Sequence, residues 1–152
     1  MNIGFIGLGK LGLPCALAVE SKGHTVYGYD IDKNVESILS TKKIPYKEIW
    51  AQEHLEKSNI IFTSMSEVVR NTEIIFVPIQ TPHDVKYEGT TRLPEERVDF
   101  DYSYLKEGVK NLSDEIKKQD KEKVVIAPEK WFGPNKGDRN LDDLLMNDWI
   151  LI

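Results

Sequence analysis

Near the start of the chain a short apolar run, Ile3 to Ile6, gives way to Gly7-Leu8-Gly9-Lys10-Leu11-Gly12, and apolar residues then recur at helical spacing. A strand that runs through three glycines spaced G-x-G-x-x-G straight into a helix constrains the fold more than any other feature of the 152 residues. Each glycine answers a different need. Gly7 lets the chain turn tightly out of the strand, Gly9 leaves the backbone open to close approach, and Gly12 lets the helix pack against the sheet. Leu11, Cys15, Ala18 and Val19 mark the buried face predicted for this helix, which makes Cys15 a small packed hydrophobe rather than a nucleophile. Lys22-Gly23 supplies the C-terminal stop.

The same alternation continues downstream. Thr25 to Tyr29 is β-branched and aromatic, a second strand closed by Asp30, and Asp32 is placed to cap a helix carrying Val35, Ile38 and Leu39. A connection broken by Pro45 leads to a helix predicted from about Lys47 to Lys57 and a strand at Ile60 to Thr63. Ser64 and Glu67 have the capping-box spacing, in which each side chain satisfies the other's backbone N–H. Ile74 to Ile79 is the most apolar strand, and Gln80 to Phe100 is a polar loop punctuated by Pro82, Gly89 and Pro94. Leu105, Val109, Leu112 and Ile116 then define one face of a helix that precedes a strand at Val124 to Ala127. Strands alternating with helices over short connections imply an α/β fold: a Rossmann-type, doubly wound, mainly parallel sheet of five to six strands, ordered 3-2-1-4-5-6.

In that fold the glycine turn is a cradle for a dinucleotide. The diphosphate would lie at the N-terminus of the first helix, where free N–H groups and the positive end of the dipole favour an anion. Asp30 ends the second strand, where a carboxylate accepts hydrogen bonds from the adenosine ribose and repels the 2′-phosphate of NADP. The residues predicted to bind the cofactor are therefore Gly7, Leu8, Gly9, Lys10, Leu11, Gly12 and Asp30, with Lys33 within reach of the adenosine side or simply exposed on its helix. NAD is the expected cofactor, and FAD on the same fold is the competing one.

Composition narrows the remaining classes. The chain is 40% hydrophobic and 30% charged, as expected of one ordinary globular domain. A net charge of −5 with lysines scattered among acids argues against nucleic acid as a partner. A single cysteine fits a reducing cytoplasm, and no run of apolar residues reaches the length of a membrane span. His24, His54 and His83 lie far apart in sequence with no Cys/His cluster, so no metal site is expected.

The sequence also resembles a known family. Asn2 to Pro14, with its glycine turn, resembles the start of the UDP-glucose/GDP-mannose dehydrogenases, and so does Tyr29-Asp30-Ile31-Asp32-Lys33. Pro45-Tyr46-Lys47-Glu48 is similar to that family's P-x-x-E, Phe76 to Pro82 to its strand ending in Thr-Pro, and Asp101-Tyr102-Ser103-Tyr104-Leu105 to its D-x-S-x-L. The resemblance covers roughly Met1 to Ile126. It implies an NAD-binding domain from an enzyme that oxidises the 6-hydroxyl of a nucleotide sugar to a carboxylate in two hydride transfers, with Thr81 and its neighbour Pro82 as cofactor contacts near the nicotinamide.

The fifth-strand motif of that family, S-T-V-x-P-G-T, has no counterpart in Val124-Val125-Ile126-Ala127-Pro128-Glu129-Lys130. Nor does the family's catalytic cysteine, lysine and asparagine set, so no catalytic residue is expected here. The chain therefore divides into a cofactor domain, 1–127, and a divergent tail, 128–152, with a short helix begun at Asn140 and a strand-like Trp149 to Ile152 suited to a sixth strand or a dimer contact. Glu129 and Lys130 lack any feature fixing an acid–base geometry, and Trp131, Phe132 and Trp149 fit either a core lid or a partner patch. The β-hydroxyacid dehydrogenases, which share the glycine turn and a Gly-His before the second strand, are the alternative family. A non-catalytic NAD-binding module is another reading. A third is an enzyme whose small site is built from the 83–100 loop and the tail.

Overall fold

The computed structural model describes residues 1–127 except 49, 83, 88–91, 93, 97 and 99. The expected helix at Asn140, the strand-like Trp149 to Ile152, and His83, Glu129, Lys130, Trp131 and Phe132 lie outside the described residues.

Five strands form one all-parallel sheet: β1 (Asn2–Ile6), β2 (Thr25–Tyr29), β3 (Ile61–Phe62), β4 (Ile74–Phe76) and β5 (Val124–Ile126), in the order β3-β2-β1-β4-β5. The order agrees with the doubly wound topology. Alternation along β1 explains the two layers around it. Ile3 and Phe5 join Leu13, Ala16, Leu17, Val35, Leu39, Ala51 and Leu55, from α1 (Gly12–Ser21), α2 (Lys33–Thr41) and α3 (Ala51–Lys57). Ile6 joins Val68 and Val69 of α4 (Met65–Asn71) and four residues of α5 (Ser103–Gln119). Those four are Leu105, Val109, Leu112 and Ile116, the face read from the sequence.

Helix α1 differs from expectation. Its buried residues are Gly12, Leu13, Ala16 and Leu17, so the inward face is rotated from the predicted one, and both Leu11 and Cys15 are exposed. The cause is composition: α1 carries apolar residues all round, so periodicity selects no face, and the glycine turn sets the rotation instead. The packed-hydrophobe reading of Cys15 is thus corrected.

Three further details differ from expectation. Helix α3 starts at Ala51 rather than near Lys47, because Trp50 stands in left-handed backbone, φ 64°, through which a right-handed helix cannot extend. Strand β4 stops at Phe76; Val77 still donates to the Ile126 carbonyl, but Pro78 has no N–H to continue the ladder. Only half of the capping box forms. Ser64 Oγ accepts from the Glu67 N–H at 3.3 Å, while the Glu67 carboxylate turns to Arg70 and to Asn71 Nδ2.

Candidate cofactor site

Strands β2 and β3 succeed one another to one side of β1, and β4 and β5 lie to the other. Ligands of open parallel sheets bind where the order reverses, outside the carboxyl ends of the strands. Here that point lies between the ends of β1 and β4, and the glycine turn occupies it. A Cβ on Gly7 would be 3.3 Å from the Pro78 carbonyl oxygen.

Gly7 adopts φ 104°, which only glycine takes without strain, and its N–H donates to the Tyr29 carbonyl at 2.8 Å. Gly12 is required by contact: its missing Cβ would lie 2.1 Å from Gly7 O and 2.9 Å from Pro78 Cγ. Gly9 is different. No described residue lies within 4 Å of where its Cβ would stand, and its φ is outside the left-handed range. The described residues give no reason for a glycine there, which fits a residue kept bare for a group that lies outside the chain.

The rest of the predicted set divides by depth. Lys10 and Leu11 are exposed at the start of α1, and no described residue accepts from their N–H groups or from that of Gly9. Leu8 faces the other way. Its side chain is 1% exposed and fills the space above Gly28, where a Cβ would fall 2.5 Å from Leu8 Cδ1. Gly28 escaped the sequence reading, although a glycine inside a strand is itself the signal of such a close approach.

Asp30 does more than end β2. One carboxylate oxygen, Oδ2, accepts from the Leu8 N–H at 2.6 Å, and Oδ1 accepts from the Asp32 N–H at 2.8 Å. Asp32 in turn accepts from the Asn34 N–H at 2.9 Å as the N-cap of α2, the role expected for it. Ile31, between the two acids, is 86% exposed, and Lys33 is exposed on the first turn of α2. Across the switch point, Thr81 and Pro82 are half-buried beyond β4. The Pro82 carbonyl accepts from the Asp101 N–H at 2.8 Å, which pins the loop's end to its beginning. The Asp101 carboxylate then accepts from the Ser103 N–H at 2.9 Å. Hydrogen bonds from Ser103 hold the Asp101 carboxyl below the usual carboxylate range. Among the described residues no cluster of three His, Cys, Asp or Glu residues is arranged to hold a metal ion, and no helix is long and apolar enough to cross a membrane.

A parallel sheet that reverses direction beside a glycine turn, with an acid closing the second strand, defines a dinucleotide-binding domain of the Rossmann type. The chain belongs to the UDP-glucose/GDP-mannose dehydrogenase family, whose NAD binding domain matches residues 1–129. It is 31% identical over 123 residues to the UDP-glucose 6-dehydrogenase of Rickettsia bellii, covering 78% of this chain and 26% of that protein. Among solved structures it is similar to a ternary complex of GDP-mannose dehydrogenase from Pseudomonas aeruginosa, with TM-score 0.70 and 20% identity over 84% of this chain and 28% of that one. It is also similar to a UDP-glucose dehydrogenase from Pyrobaculum islandicum, with TM-score 0.67 and 21% identity over 83% and 28%. At those identities the structures speak for the fold. The chain spans only 15 to 26% of the length of the curated relatives first matched. The match is to that family's NAD-binding domain, and the resemblance to that family, rather than to the β-hydroxyacid dehydrogenases, holds.

Proposed function

We propose that the domain binds NAD in preference to NADP at the carboxyl ends of β1 and β2, and provides the cofactor half of a nucleotide-sugar oxidation. The observation that carries this reading is the pairing of a bare Gly9 with a carboxylate at Asp30, across a helix N-terminus where no described residue accepts from the Gly9, Lys10 or Leu11 N–H. Gly9, Lys10 and Leu11 would hold the diphosphate through their backbone N–H groups. Leu8 and Gly12 would serve it from below by packing, because the Leu8 N–H is already given to Asp30. Asp30 would take the adenosine ribose, and its charge would repel a 2′-phosphate. Lys33 would flank the adenosine side, and Thr81 with Pro82 would border the nicotinamide side.

When bound, NAD accepts hydride from the sugar carbon being oxidised, and the chain's own task is to bind it and orient it. The sugar-binding and catalytic groups are assigned to the part of the family's length that these 152 residues do not span. Titrating the purified chain with NADH and with NADPH by fluorescence tests the assignment. Preference for NADH by about tenfold or more is expected, and its loss in Asp30→Asn. Equal affinities in the unaltered chain would overturn the Asp30 role. NADH formation from a nucleotide sugar by the chain alone would overturn the division of labour.

A further inference from the structure

Resting on that reading, we infer that Asp30 acts on the cofactor a second time, through the protein: it is the positioning residue that holds the glycine turn in its binding shape. Its two carboxylate oxygens receive two backbone N–H groups from different segments, Leu8 in the turn and Asp32 at the head of α2. A carboxylate is acceptor-only, with about four lone-pair sites, so these two bonds leave acceptor capacity for a ligand hydroxyl while fixing the plane of the group. Leu8 lies between Gly7 and Gly9, and its side chain is locked onto Gly28. The Leu8 N–H is thus held from β2 on its polar side and its side chain from β2 on its apolar side. With Gly7 N–H bonded to Tyr29 O as well, every described tie on this side of the turn leads to the end of β2.

Asparagine cannot reproduce the arrangement. It presents one oxygen and one NH₂, so one of the two backbone donors would face another donor. Replacing Asp30 should therefore loosen the turn in addition to removing a ribose acceptor. The two effects separate by ligand. An NAD analogue whose adenosine ribose lacks both hydroxyls has nothing for Asp30 to bind directly. If Asp30 served the ribose alone, Asp30→Asn would not weaken that analogue. Removing a negative charge near an anionic diphosphate would even tighten it.

The experiment measures dissociation constants of NADH and of the reduced dideoxyribose analogue for the unaltered chain and for Asp30→Asn. It also follows hydrogen exchange at the Leu8 amide without ligand. Expected are a loss of about tenfold or more for NADH, a surviving loss of about threefold or more for the analogue, and faster Leu8 exchange in the variant. A loss confined to NADH, or a Leu8 amide that exchanges freely in the unaltered chain, would overturn the inference, and the second result needs no variant. If the unaltered chain binds neither ligand, the cofactor reading fails and with it this role toward the cofactor. Leu8 exchange would still report whether Asp30 holds the turn.

Discussion

The Cβ that Gly12 lacks would stand 2.1 Å from the carbonyl oxygen of Gly7, and the obstruction is backbone on one side and a proline ring on the other. Neither can swing aside as a long side chain can. Gly12→Ala must push α1 away from the turn, at a cost of about 3 kcal/mol in folding stability. Urea unfolding of the variant against the parent checks this, and an unchanged midpoint would contradict the close packing described for α1.

Gly9→Ala should behave in the opposite way. The added methyl meets no described residue, so stability should stay within about 0.5 kcal/mol of the parent. Binding should suffer, because the methyl occupies the approach proposed for the diphosphate: a loss of about tenfold or more in NADH affinity is expected. A parent-like affinity, measured by the same fluorescence titration, would show that the open space is not the cofactor's.

Trp50 holds left-handed backbone at the head of α3, with its ring edge-on to His54 at 5.0 Å between centroids. Left-handed backbone costs a residue with a Cβ about 1–2 kcal/mol, and glycine escapes that cost at about 0.5–1 kcal/mol of chain entropy. Trp50→Gly should therefore stabilise the domain by about 0.5–1 kcal/mol. Thermal unfolding decides it; a destabilised variant would mean that the ring contact with His54 outweighs the strain.

Asp101 predicts a pH dependence. Hydrogen bonds from Ser103 depress its folded carboxyl pKa, so its contribution to stability is fully present above the unfolded carboxylate value and is lost as pH falls through the folded one. Asp101→Asn should accordingly be less stable than the parent near neutrality, with the difference shrinking below about pH 4. Urea midpoints at both pH values provide the check, and a constant difference would remove the carboxylate from the account.

Much of this molecule is legible in its sequence where one physical signal dominates. Leu105, Val109, Leu112 and Ile116 sit in a helix with a sharply divided surface, so their burial could be read directly. In α1 the surface is apolar all round, and the spacing points Cys15 to the wrong side. Helix α3 starts later than the pattern suggests, because nothing in the identity of Trp50 announces a positive φ. Gly7, Gly9 and Gly12 are legible as a motif, but only their contacts in the fold separate the two that the described packing requires from the one it does not. The tie from Asp30 to Leu8 joins segments distant in the chain, and pattern reading of local windows has no access to it.

Strand β1 is the sheet's centre, yet its two neighbours come from very different distances along the chain: Ile3 pairs with Val26 on one side and with Ile74 on the other. Closing the first pair is entropically cheap, and closing the second requires a much longer loop. The β1–α1–β2 unit, with Gly7 and Asp30 both inside it, can therefore assemble early during synthesis, while the flank that β4 will cover still faces water. The unpaired backbone edge of β1 is then exposed for a time in the life of every new molecule, and how quickly Ile74 to Phe76 arrives decides how long that lasts.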